Sequence, residues 1–143
     1  MSDKGVVKRY IVTPDKHAPL HDKKAISVVR QSIEIVKPDG YIDLGDFSEW
    51  GSVSHWQWKK KKKPPLEYLM PRIEKDIDAA NNLLDEIDES LDKVNVKVKH
   101  MCEGNHDAWL DGFVEEHPYL PQYKFHNACD LAKRGYKYHP MGE

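Results

Sequence analysis

The stretch VNVKVKHMCEGNHDAWL, residues 94–110, decides how this chain is read. Val94, Val96 and Val98 alternate with Asn95, Lys97 and Lys99, the period-two pattern of a strand with one buried face. Gly104 then frees the backbone, and Asn105, His106 and Asp107 follow at once. Asp107 suits an N-cap, so a helix is expected from about Ala108. Amide, imidazole and carboxylate are crowded into one strand-to-helix turn. By itself that turn is either a polar helix start or a fragment of a reactive site.

The flanking sequence supplies two more units of the same kind. Val6 to Val12 (VVKRYIV) reads as a strand ended by Thr13-Pro14. Ile26, Val29, Ile33 and Val36 recur at helical spacing within about 22–37, and Lys37-Pro38-Asp39-Gly40 stops that helix. Tyr41 to Leu44 is a short apolar run, expected as a buried strand, with Gly45-Asp46 directly after it. Ile73, Ile77, Ala80, Leu84, Ile87 and Leu91 keep one apolar stripe of a long helix, with Pro71 expected in its first turn. Past Glu116, Pro118 and Pro121 break the pattern; a short helix is expected over Ala128 to Lys133 and a strand beginning at Tyr136 to His139. Parallel neighbours need crossover connections, so the alternation of strand and helix predicts an α/β fold with a largely parallel sheet flanked by helices.

Composition narrows the class. With 143 residues the chain has room for one domain with a real core. Charged residues at 32% and hydrophobic ones at 39% suit a soluble globular protein, and no apolar run is long enough to span a bilayer, so no membrane partner is expected. The N-terminus lacks the apolar segment of a secretory signal. Cys102 and Cys129 are the only cysteines and have no metal-finger spacing, which points to a reducing, cytoplasmic setting. The 22 basic and 24 acidic side chains give a formal net charge of −2, which excludes a general polycation.

The chemistry collects where the strands end. Asp15-Lys16-His17 follow the first strand, Gly45-Asp46 the second, and Gly104-Asn105-His106-Asp107 the third. In open α/β sheets ligands bind beyond the carboxyl ends of the strands. Each group alone has a plainer reading, since Asp, Asn and Gly also make turns and caps. Their joint placement favours a shared metal site, and oxygen and imidazole donors without thiolates suit Mn²⁺, Fe or Zn²⁺.

DxH, then GD, then GNHD, in this order on a β-α-β-α-β frame, resembles the calcineurin-like metallophosphoesterases, over residues 6 to about 116. The resemblance implies the first half of that family's layered sandwich and a hydrolase with two divalent metal ions, manganese favoured. Carried over, Asp15 and His17 would bind the first metal, Asp46 would bridge both, and Asn105 would bind the second. His106 would contact the phosphate and protonate the leaving group. The substrate expected is a phosphoester, a phosphodiester of nucleic acid or nucleotide type being preferred. The family's later His and Gly-His-x-His motifs are missing, because the chain contains no Gly-His dipeptide. His117, His126 and His139 stand in other contexts, and Glu49 lies where many relatives carry Asp or Asn. A C-terminally incomplete domain is therefore expected, completed by self-association or by a second chain. The alternative is a catalytically incomplete half-domain that acts by assembly or by binding nucleic acid.

Residues 47–65 form an irregular insertion with Trp50, Trp56 and Trp58 beside Lys59, Lys60, Lys61, Lys62 and Lys63. Aromatic rings among cations can stack bases and neutralise phosphates, so Trp56, Trp58 and the five lysines are candidate DNA or RNA contacts. A solvated loop whose tryptophans pack on the domain is the plainer alternative.

Overall fold

Four short strands, all parallel, order the chain in space. The structure is a computed structural model and describes residues 6–54 and 62–142. Its elements are β1 (Tyr10–Thr13), α1 (Lys23–Val36), β2 (Gly40–Asp43), a 3₁₀ turn at Gly51–Val53, α2 (Leu66–Lys93) and β3 (Val98–Cys102). Then come α3 (Asn105–Glu116), a second 3₁₀ turn at Pro121–Tyr123, the single turn α4 (Phe125–Ala128) and β4 (Tyr136–His139). The sheet order is β1-β2-β3-β4, the α/β architecture expected. Thr13 pairs with Asp43, Asp43 with Met101, and Cys102 with His139, so the carboxyl ends of all four strands lie along one edge.

Element boundaries differ from the sequence expectation for identifiable reasons. Strand β1 starts at Tyr10 instead of Val6, because its one neighbour, β2, is only four residues long. Strand β3 is Val98–Cys102 and not the Val94–Val98 run. Val94 and Val96 donate their N–H groups to the Leu91 carbonyl and close α2, with Asn95 in a left-handed turn at φ 57°. Only Val96 of the alternating valines is buried, and it caps the helix instead of facing a strand. Helix α2 begins at Leu66, which puts Pro71 at its sixth residue, not in the first turn. Burial of Leu69 and Ile73 along the same stripe outweighs the hydrogen bond that Pro71 cannot donate. The short helix expected over Ala128 to Lys133 is instead the turn Phe125–Ala128.

The core lies on one face of the sheet. Tyr41, Met101 and Tyr136 point there and join Ile33 of α1 and Ile73, Leu84, Ile87 and Leu91 of α2. Helices α1 and α2 are tied by Arg30 Nε donating to Ser90 Oγ at 3.0 Å and Ser90 donating to Glu34 at 2.9 Å. The Asp88 carboxylate on α2 accepts from Lys99 (3.0 Å), Tyr136 (2.9 Å) and Arg134 (3.0 Å), which anchors β3 and β4 under the helix. The opposite face is open among the described residues: Tyr10, Val12 and Val98 are 41%, 49% and 43% exposed. All-parallel sheets are ordinarily covered on both faces, so this bare face is an unusual feature. No described helix is long and apolar enough to cross a membrane.

Candidate metal centre

Two loops zip together beyond β1 and β2 and prolong their pairing. Asp15 N donates to Gly45 O at 3.1 Å, His17 N to Asp46 O at 3.0 Å and Ala18 N to Phe47 O at 3.0 Å. Glu49 N returns a bond to Ala18 O at 2.9 Å. The geometry is bought with left-handed backbone at three non-glycine positions, Asp15 (φ 49°), His17 (φ 50°) and Asp46 (φ 49°). Such conformations persist only where the surroundings enforce them, and they concentrate at functional sites.

The third loop is brought in by glycine against glycine. A Cβ on Gly45 (φ +96°) would sit 2.4 Å from Gly104 N, and one on Gly104 would sit 2.1 Å from Asp46 N. Neither position tolerates a side chain, so the GD and GNHD turns touch backbone to backbone. Helix α3 therefore starts directly over Asp46, whose Oδ1 accepts the His106 N–H at 2.8 Å. That uses one carboxylate oxygen to satisfy a free amide of the helix N-terminus, where negative charge is favoured.

The side chains then converge. Donor atoms of Asp15, His17 and Asp46 lie within 4.8 Å of one another, with His17 Nε2 3.9 Å from Asp15 Oδ1. A second trio, His17, Glu49 and His106, meets the same limit. Glu49 Oε2 accepts from His17 Nδ1 at 2.8 Å and stands 3.5 Å from His106 Nδ1. Because an ionised carboxylate can only accept, His17 donates from Nδ1, and this bond turns Nε2 toward Asp15. His106 Nδ1 likewise donates to the Glu49 carbonyl at 3.0 Å, and the two imidazoles meet edge to face with centroids 4.7 Å apart.

Buried polar groups hold this rim from below. Lys16 points inward and forms an ion pair with Asp43 at 2.6 Å, with Thr13 Oγ1 accepting at 2.8 Å. Burial pushes the Asp43 carboxyl up, against the opposing pull of Lys16. Asp107, fully buried, accepts from Trp50 Nε1 (2.9 Å), Gly104 N (3.1 Å) and Phe47 N (3.4 Å). Burial raises its carboxyl to about 6, the three donors opposing it. Asp107 is the third residue of α3 and not the N-cap expected: the cap is Gly104, because the helix starts at Asn105, and the Asp107 carboxylate reaches back to the Gly104 N–H.

Asp15, His17, Asp46 and His106 thus meet at one rim, as their positions after successive strands led us to expect. Asn105 is the first residue of α3 and exposed, next in the chain to the Gly104–Asp46 contact. Glu49, three residues after Asp46, stands out in the sequence only as a departure from the family pattern, with no role attached; the structure sets its carboxylate against both His17 and His106. Trp50, at the start of the Trp/Lys insertion, packs into the core as the plainer reading of that insertion has it, with no exposed surface and its indole N–H on Asp107. Trp56, Trp58, Lys59, Lys60 and Lys61 lie outside the described residues. Lys62 is exposed, and Lys63 pairs with Glu116 at 2.8 Å.

The donor set fits a divalent cation. Metal–ligand distances near 2.1 Å require donors roughly 3–4 Å apart, and His17 Nε2 with Asp15 meets that without a change of fold. Glu49 on the far nitrogen of His17 is the outer carboxylate that metal-binding histidines ordinarily carry. Comparison of the chain with protein-family models, with curated proteins and with solved structures finds no match in any of the three.

Proposed function

We propose that the chain is a metal-dependent phosphoesterase of the calcineurin-like kind, acting on a phosphodiester of nucleotide or nucleic-acid type. The observation that carries this reading is the convergence of Asp15, His17 and Asp46, from two separate loops, within 4.8 Å and directly beneath the N-terminus of α3. Asp15, His17 and Asp46 would hold a divalent metal. The resemblance adds Asn105 and a second ion, with manganese the first choice. Bound there, such ions lower the pKa of water and neutralise charge on a phosphoryl group.

The remaining work falls to the protein's own groups. His106 Nδ1 is held by the Glu49 carbonyl, which leaves Nε2 as the nitrogen able to give a proton to the leaving oxygen. The Glu49 carboxylate stands 3.5 Å from the same Nδ1 and helps fix the ring's orientation. The strained loops and the Gly45–Gly104 contact keep these groups in place before substrate arrives. The free thiols of Cys102 and Cys129 agree with a cytoplasmic setting.

The test is hydrolysis of an aryl phosphodiester with Mn²⁺, run beside calorimetric Mn²⁺ binding, for the wild type and Asp46→Asn. Loss of both metal affinity and turnover in the variant is expected; equal turnover would refute the site. The bare sheet face favours a second reading, a half-domain that works by assembly. It predicts weak metal binding and no hydrolysis that depends on His106.

A further inference from the structure

A groove of about 850 Å³ opens beside the candidate centre, between α3, the start of α2 and the 3₁₀ turn at Gly51–Val53. Its walls include Trp109, Gly112 and Phe113 from α3, Leu66 from α2, and Val53 and Lys63. This volume lies within the range of small-molecule sites. Three observations say what it would hold.

The first is continuity with the chemistry. The Trp109 ring, which lines the groove, packs against His106, centroids 4.0 Å apart and planes 31° apart, so one wall of the groove touches the group assigned to protonate the leaving oxygen. The second is an aromatic row. His106, Trp109, Phe113 and His117 recur at spacings of three and four along α3, and Phe113 and His117 also stack, at 4.4 Å. Rings at this spacing fall on one side of a helix, Trp109 and His117 partly exposed and Phe113 buried beneath them, and Lys63 supplies a cation at the wall, held by Glu116.

The third is Gly112. It lies in the interior of a twelve-residue helix, where glycine is disfavoured relative to alanine. Among the described residues a Cβ there would meet nothing within 4 Å, and its φ is not of the left-handed kind. Neither packing nor backbone conformation calls for glycine. What its missing side chain does is keep the groove wall flat.

We propose that this groove binds the planar base of a nucleoside that is the leaving group of the phosphoester, with Trp109, Phe113 and Gly112 setting that preference. That the nucleoside is the leaving group rests on the phosphoesterase reading, whereas binding of the base rests on the groove alone. A phosphoester whose alcohol is a nucleoside would put its bridging oxygen at His106 and its base along the aromatic row. Stacking on such a row is tolerant of base identity, so discrimination among bases is not expected.

The experiment separates the two layers by using Gly112→Leu, which projects a side chain into the groove, with Gly112→Ala as control. Adenosine, which has no phosphate, is titrated while the amide of Gly112 or its replacement and the Trp109 indole are followed by NMR. The adenosine-linked dinucleoside phosphate and an aliphatic diester of ethylene glycol are then hydrolysed with Mn²⁺. Adenosine should shift those resonances in the wild type and ribose should not. Gly112→Leu should weaken adenosine about tenfold or more and lower kcat/KM for the dinucleoside by a similar factor, leaving the aliphatic diester unchanged. Adenosine that leaves α3 unperturbed, or a Gly112→Leu loss equal for both diesters, would overturn the proposal. Groove-dependent adenosine binding without hydrolysis of either diester would refute the phosphoesterase reading while the nucleoside groove stood.

Discussion

Replacing Gly104 by alanine tests whether the candidate centre is assembled by direct backbone contact. Gly104 has φ −89° and ψ 173°, extended geometry that alanine adopts freely, so no backbone strain arises. On the unfolded side the added methyl would even help, by about 0.4–1 kcal/mol. Against this, the new Cβ would lie 2.1 Å from Asp46 N, 2.3 Å from Asp46 Oδ1 and 2.7 Å from its Cγ. Ordinary contacts are about 3.5 Å, and the nearest atom is backbone and cannot rotate away. The GD loop and α3 must separate by roughly 1 Å, which strains the packing by about 1–3 kcal/mol. The same movement stretches the charge-assisted bond from His106 N to Asp46, a further loss of about 1.5–3 kcal/mol. Overpacking wins, and a net destabilisation of about 3 kcal/mol is expected, a fall in Tm of roughly 10 °C for a chain of this size. Urea unfolding and calorimetric Mn²⁺ titration measure both consequences, and Mn²⁺ affinity should fall with stability. Gly112→Ala is the matched control and should be as stable as wild type or more so. If Gly104→Ala behaved like Gly112→Ala, the glycine contact would not be what assembles the rim.

Two further outcomes follow from groups that are not themselves proposed metal donors. Asp107 titrates near 6 when folded, above the 3.8 of an unperturbed carboxyl, so the folded state holds its proton more tightly. Its contribution to stability is complete below about pH 4 and is lost as pH rises through 6, by roughly 3 kcal/mol. The unfolding free energy of wild type minus that of Asp107→Asn should therefore fall between pH 4 and pH 7; a flat difference would remove the argument. The bare sheet face predicts weak, concentration-dependent association in sedimentation velocity, reduced by Val98→Lys, an exposed position on that face at the start of β3. A single monomeric boundary at high concentration would contradict it.

How much was legible beforehand varies residue by residue. The helical spacing of Ile26, Val29 and Ile33 located α1 within a residue of its ends, because Asp22 and Lys37 are local caps whose effect does not depend on distant contacts. The valine run misled, because alternation at Val94–Val98 cannot say whether a partner strand lies alongside, and β2 pairs only from Val98 onward. Pro71 misled similarly: its usual place in a helix is local, but burial of Leu69 extended the helix past it.

By itself the sequence determined the alternation of strands and helices and put Asp15, His17, Asp46 and His106 each just past a strand. Those are consequences of periodicity and local turn chemistry, which act over a few residues. Tertiary structure alone decided that Glu49 stands between His17 and His106, and that Trp50 serves the core instead of a ligand. It alone decided that Gly45 and Gly104, 59 positions apart in the chain, meet backbone to backbone. Such choices depend on which loops a parallel sheet brings side by side, and that register is set by pairing across the whole chain, not by any one segment.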